Sequence, residues 1–236
     1  MPGRKKYAVI GLTLPLLVGL LPGCITSPGY EFGPTAEAKT TTLPQCRDGI
    51  LDDLEDGDGQ AAKVNGRDGY WFTYADSEGS TIEPRGEYRS SPGGANGSNF
   101  AGHAWGKMAP KGVSLYAGVG FALTNPKTPY DFKTAKGIQF WAKGPGRVRF
   151  KTPDINTTPE GDRCSDCYND FGVDITLQDS WQRYTVPFEK MAQQPGWGDR
   201  APAVDSHHVF AVQWQFSTPN AAYDLWFDDI RLVGCE

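Results

Sequence analysis

Short runs of alternating apolar and polar side chains recur from Ile138 onward, and a period of two belongs to strands rather than helices. Ile138 and Phe140 alternate with Gln139 and Trp141, and Val148 and Phe150 with Arg147, Arg149 and Lys151. Phe171, Val173, Ile175 and Leu177 oppose Gly172, Asp174 and Thr176. Tyr184, Val186 and Phe188 alternate with Arg183 and Thr185, and Phe210, Val212, Trp214 and Phe216 with Ala211, Gln213 and Gln215. Gly, Pro, Asn and Asp punctuate the runs, as turns between strands require. The chain is therefore expected to be all-β, an antiparallel β-sandwich. The one helical candidate, Glu189 to Gln194, is a turn or two at most.

Alternation also sorts side chains by face. If the apolar set fills the core, the outward set holds Gln139, Trp141, Arg149, Lys151, Asp174, Trp181, Arg183, Gln213 and Gln215. Amides and guanidinium groups hydrogen-bond hydroxyls, and indole faces stack on the C–H surface of a pyranose ring. The mixture suits a sugar, although a plain solvated sheet face with two partly buried tryptophans gives the same pattern. Further aromatics fall outside the alternation: Trp71 and Tyr74 after a Gly- and Asp-containing turn, Trp105 beyond Gly102-His103, and Trp197 between Gly196 and Gly198. Trp197 is the best loop stacking candidate, its alternative being a plug over the end of the sandwich.

The two ends of the domain carry matching features. Cys46 precedes Leu51-Asp52-Asp53-Leu54-Glu55-Asp56-Gly57-Asp58, and the chain closes on Asp228-Asp229-Ile230-Arg231-Leu232-Val233-Gly234-Cys235. Before them, Arg4, Lys5 and Lys6 lead an uncharged Leu-rich stretch from Tyr7 to Leu21, the pattern of an export signal. Leu21-Pro22-Gly23-Cys24 resembles a bacterial lipobox with Cys24 as lipid carrier. Ile25 in place of an Asp favours the outer membrane or cell surface. Residues 1–23 are thus expected to be signal, 24–45 a Pro-, Gly-, Ser- and Thr-rich tether, and 46–236 one folded, monomeric domain. Formal charge is 23 basic minus 28 acidic residues, or −5, and −8 without Arg4, Lys5 and Lys6. An acidic domain is a poor partner for nucleic acid.

Setting Cys24 aside leaves four cysteines, which allow three pairings. The preferred pairing joins Cys46 to Cys235 and Cys164 to Cys167. The first closes nearly the whole domain, and the entropy removed from the unfolded chain is worth about 4 to 5 kcal/mol. Cys164-Ser165-Asp166-Cys167 alone lacks the second ligand pair that zinc needs. No Gly-x-Ser-x-Gly elbow, His-Glu-x-x-His helix or phosphate loop accompanies His103, His207 and His208. The expected activity is binding without catalysis. A structural or protein-interaction lipoprotein and a glycan-active enzyme are the alternatives.

Asp53-Leu54-Glu55-Asp56-Gly57-Asp58, Gly69-Tyr70-Trp71-Phe72-Thr73-Tyr74, Gly137-Ile138-Gln139-Phe140-Trp141-Ala142-Lys143-Gly144, Trp181 to Phe188 and Asp224 to Ile230 resemble the carbohydrate-binding modules of family eleven and related galactose-binding-like jelly rolls. The likeness spans residues 48–233. It implies a concave cleft for a polysaccharide such as a β-glucan, with sugar contacts on the concave sheet and adjoining loops; the candidates for those contacts, taken from the outward set and the aromatics outside the alternation, are Trp71, Tyr74, Trp105, Trp141, Trp181, Arg183, Trp197 and Gln213. It also implies a structural Ca2+ ion near the paired termini, on Glu55, Asp56 and Asp228, where oxygen-rich side chains suit a hard cation.

Overall fold

The computed structural model describes residues 43–235. Its strands, in chain order, are β1 (Gln45–Asp52), β2 (Trp71–Ala75), β3 (Thr81–Glu83), β4 (Ser91–Pro92), β5 (Phe100–Lys107), β6 (Ala117–Ala122), β7 (Gly137–Lys143), β8 (Arg147–Thr152), β9 (Phe171–Thr176), β10 (Gln182–Pro187), β11 (Ala211–Phe216) and β12 (Ala222–Val233). Among the described residues helical structure is confined to two single 3-10 turns, Pro159–Gly161 and Phe188–Lys190. The second overlaps the start of the stretch where the sequence allowed a turn or two.

Two antiparallel sheets form the expected sandwich. One orders its strands β10-β7-β12-β5-β3, with β1 beside β12 and β4 beside β5; the other runs β2-β6-β11-β8-β9. The apolar members of each alternating run meet between them. Trp214 of the five-stranded sheet stacks at 4.7 Å on Phe227 of the seven-stranded sheet, and Trp71 stacks on Phe227 at 5.0 Å. Phe140 of β7 likewise meets Phe150 of β8 at 4.7 Å. Each such side chain withdrawn from water contributes roughly 2 to 3 kcal/mol.

Trp71, expected to touch sugar, is only 4% exposed. It sits on the inward phase of β2, and its Nε1 donates to Asp52 Oδ2 at 2.7 Å. A ring stacked on Phe227 and Tyr88 offers no free face to a ligand.

The two ends of the folded domain meet as the sequence implied. β1 pairs antiparallel with β12, Gln45 opposite Val233, and the Cys46–Cys235 disulfide joins them across a separation of 189 residues. Cys164 and Cys167 form the second, local disulfide. Between Asp228 and Arg231 the pairing of β12 with β7 slips, and Asp229 takes φ +50° there. Such an irregularity bends a strand and re-aims its side chains. The expected export signal, Cys24 and nearly all of the expected tether lie outside the described residues; β1 begins at Gln45, one residue before the expected domain boundary.

The Cys46–Cys235 bond should carry a measurable share of stability. Replacing both cysteines with serine is expected to lower the free energy of unfolding by about 4 kcal/mol, read from denaturant melts. A loss no larger than that of the Cys164→Ser/Cys167→Ser pair would contradict the loop-closure account.

Candidate functional site

The outward residues of the five-stranded sheet line up in two rows, because antiparallel register sets partners side by side. Phe72 lies opposite Gly120, Gly120 opposite Gln213, Gln213 opposite Lys151 and Lys151 opposite Gly172. The second row runs Tyr74, Gly118, Gln215, Arg149 and Asp174. Small residues on β6 let long neighbours lie flat. A Cβ at Gly118 would stand 2.4 Å from Tyr74 Cζ, so this glycine makes room for the phenol. The phenolic O–H of Tyr74 reaches Gln213 Oε1 at 3.0 Å and Gln215 Oε1 at 3.2 Å. Burial, with Asp170 and Tyr116 close by, holds the Tyr74 phenol well above its ordinary pKa and therefore neutral.

Loops raise walls around this floor. The β5–β6 connection brings Leu115 and Tyr116, the β8–β9 connection brings Tyr168 and the Cys164–Cys167 disulfide, and the β10–β11 connection brings Trp197. Together they bound an open cleft of ≈ 800 Å³ whose floor holds Tyr74, Lys151, Gln213 and Gln215. A second hollow of ≈ 400 Å³, over Arg149 and Asp174, shares Gln194 and Trp197 with the first. Tyr168 and Trp197 are 66% and 44% exposed, large aromatic rings on the rim.

The two rim loops are lashed to each other. Asn169 Nδ2 donates to the carbonyls of Gln194 at 2.8 Å and Trp197 at 2.6 Å, and Asn169 Oδ1 accepts from Gln194 N at 2.8 Å. Asp199 Oδ2 accepts from the backbone of Ser165 at 2.6 Å and of Asp166 at 3.2 Å. These donors hold the Asp199 carboxyl below the usual carboxylate range. Asp166 Oδ2 in turn accepts from Gly198 N at 3.0 Å. Cations at the two hollows are also paired with carboxylates. Lys151 Nζ meets Asp170 Oδ2 at 2.8 Å, Lys127 meets Glu160 at 2.8 Å, and Arg149 faces Asp174 at 3.6 Å.

Of the residues expected to touch sugar, Tyr74, Gln213 and Trp197 line this cleft. Trp105, Trp141, Trp181 and Arg183 do not. Trp105, Trp141 and Arg183 occupy the outer face of the seven-stranded sheet, on the opposite side of the core, because β5, β7 and β10 belong to that sheet, and Trp181, just ahead of β10, lies against Lys143 of β7. There the rings are engaged with one another. His103 lies between Trp105 at 4.4 Å and Trp226 at 3.9 Å, Lys143 covers Trp226 and Trp181 at 5.0 and 4.8 Å, and Arg183 covers Trp141 at 5.9 Å. Tyr116, Tyr168 and Asp170 belong to the cleft but carried no periodic signal; Ala117-Gly118-Val119-Gly120-Phe121, a strand with an outward face of glycine, is the sequence trace that marks the floor.

Solved structures place this architecture. A family 11 carbohydrate-binding module from Clostridium thermocellum, in complex with a β-1,3-1,4-mixed-linked tetrasaccharide, superposes with a TM-score of 0.56 at 17% identity, over 79% of this chain and 95% of that one. The fold is that of a family 11 module. A second such structure, the module of a cellulosomal cellulase of the same organism, matches at 18% identity and TM-score 0.56, over 83% of this chain and 97% of its own. A family 30 module matches at 13% identity and TM-score 0.52, over 70% and 92%. No family model and no curated protein matches the chain. On the family 11 fold, this chain sets its cleft over the five-stranded sheet.

The corner where β1 runs beside β12 holds the residues expected to bind calcium. Glu55 and Asp228 both reach the 93–100 loop: Glu55 Oε1 accepts from Asn99 N at 2.9 Å and Phe100 N at 2.8 Å, and Asp228 Oδ2 accepts from Ala95 N at 2.7 Å. Asp56 turns back onto its own loop, accepting from Asp58 N at 3.2 Å. Among the described residues no three His, Cys, Asp or Glu side chains gather as a metal shell. One observation does fit a cation. Burial pushes the Asp228 carboxyl up to about 6 and that of Asp52 up to about 7, and no basic side chain pairs with either among the described residues.

Raised carboxyl pKa values have a definite sign. An unfolded aspartate titrates near ~3.9, so the stability these groups confer is complete below that value and is lost as pH climbs through their folded values. Thermal melts in chelator are therefore expected to show Tm falling between about pH 5 and about pH 8, with Asp52→Asn flattening the slope. A Tm that rises over this range would overturn the assignment.

Proposed function

We propose that this chain binds a polysaccharide, a β-glucan, in the cleft over the five-stranded sheet and does not alter it chemically. The observation that carries the reading is the composition of that cleft: amides and a neutral phenol on the floor, exposed Trp197 and Tyr168 on the rim. Sugars offer hydroxyl edges and apolar C–H faces, and this surface answers both. Support also comes from the solved structures of the same fold, which are carbohydrate-binding modules, one of them holding a mixed-linked glucan oligosaccharide. The lipobox-like Leu21-Pro22-Gly23-Cys24 motivates the further proposal that the module is a monomer tethered by lipid to the outer membrane or cell surface.

Affinity should separate the two faces of the sandwich. Trp197→Ala is expected to weaken binding of a mixed-linked β-1,3-1,4-glucan about fivefold to tenfold, the equivalent of roughly 1 kcal/mol of ring stacking. Trp141→Ala and Trp181→Ala should leave the affinity within twofold. Titration calorimetry decides, and equal losses for all three would remove the cleft from consideration.

A calcium ion at the corner of the termini is part of the same proposal, with Glu55 and Asp228 as its carboxylate ligands and Asp56 outside the shell. Bound there, it would neutralise the Asp228 charge that burial leaves uncompensated. Ligand saturation at a hundred times Kd adds about 2.7 kcal/mol, so calcium should raise Tm at about pH 8 by roughly 5 °C or more over chelator in a domain of this size. An unchanged melting curve would dismiss the ion.

A further inference from the structure

We infer that the Lys151–Asp170 pair is the hydroxyl-recognition element of the cleft and grips two adjacent hydroxyls of a single sugar ring. The inference rests on the polysaccharide-binding reading above. Lys151 and Asp170 side chains are 8% and 3% exposed, and their ion pair closes at 2.8 Å through Asp170 Oδ2. The other carboxylate oxygen, Asp170 Oδ1, is buried and has no hydrogen-bond partner among the described residues. Buried acceptors are nearly always satisfied in native proteins, because an unmet one forfeits its hydration for nothing. Asp170 itself belongs to the lining of the cleft.

The donor side of the pair also has capacity to spare. An ammonium carries three N–H groups, and Lys151 spends one on Asp170 Oδ2 while its Nζ stands 5.8 Å from the Tyr74 ring centre. The pair thus presents a carboxylate acceptor and an ammonium donor side by side. A vicinal diol is the complementary group: one hydroxyl donates to Asp170 Oδ1, and its neighbour accepts from Lys151 Nζ. Charge points to the same ligand. Lys151, Lys127 and Arg149 each already face a carboxylate, so a uronate or sulfate finds these cations committed, whereas a neutral sugar disturbs none of the pairs.

Linkage then becomes a specificity rule. In a 1,4-linked glucan every internal ring keeps adjacent hydroxyls on its second and third carbons. A 1,3-linked glucan keeps them on the second and fourth, and no internal ring offers an adjacent pair. The cleft should therefore select 1,4-linked stretches.

Titration calorimetry with a mixed-linked β-1,3-1,4-glucan and with a linear β-1,3-glucan tests this on the wild-type chain, on Asp170→Asn and on Lys151→Met/Asp170→Leu. The double variant removes both charges together and leaves no buried ion alone, which keeps the fold; its melting temperature is checked against wild type. Expected is a loss of at least tenfold on the mixed-linked glucan in both variants, and wild-type binding to the 1,3-glucan already weakened by a comparable factor and insensitive to Asp170→Asn. Should wild type bind the mixed-linked glucan and a folded double variant bind it within twofold, the clamp is wrong and the binding reading stands. Equal affinity of wild type for both glucans would refute the diol. Failure of wild type to bind either glucan would overturn the binding reading and the clamp with it.

Discussion

The aromatic contact at mid-sandwich governs everything outside it. Trp214 and Trp71 from one sheet close on Phe227 from the other, with ring centres 4.7 and 5.0 Å apart. Once Trp214 points inward, a period of two leaves Gln213 and Gln215 no choice but to point outward. The same holds for Phe150 and its neighbours Arg149 and Lys151. A one-residue slip would bury the polar row and expose the rings, so packing of the interior and composition of the cleft floor are two readings of one register.

Much of this was legible in residue order. The alternation from Ile138 to Phe216 gave the inward and outward sets correctly, and the cysteine positions foretold both bridges. Alternation nevertheless has only two values, in and out, while a sandwich has two separate outsides. Trp141, Arg183 and Gln213 share a phase but lie on opposite surfaces, because β7 and β10 pair in one sheet and β11 in the other. Pairing between strands is a long-range property that no local period encodes. Trp71 escaped for a related reason: its turn-rich neighbourhood looked like loop, yet β2 starts on that residue and points it at Phe227.

The walls were the least legible part. Tyr168 and Asp170 sit in a stretch without periodicity, and their place over the sheet depends on contacts with residues more than twenty positions away, such as Asn169 with Gln194 and Trp197. A rigid floor with walls built from loops is the usual division of labour on a sandwich, since a loop can change without disturbing the core. Here the floor also carries charge, but charge folded into neutral pairs, which shapes the site without giving it a net field.

Asn169 and Asp199 make the two rim loops a single piece. Each donates or accepts across the gap, so the span from one loop to the other is set by five backbone groups rather than by side-chain fit. The lengths of the β8–β9 and β10–β11 connections are consequently not independent variables. An insertion in one would pull its partner out of place, and a change of ligand in this lineage would have to be written into both loops at once, over a floor that stays the same.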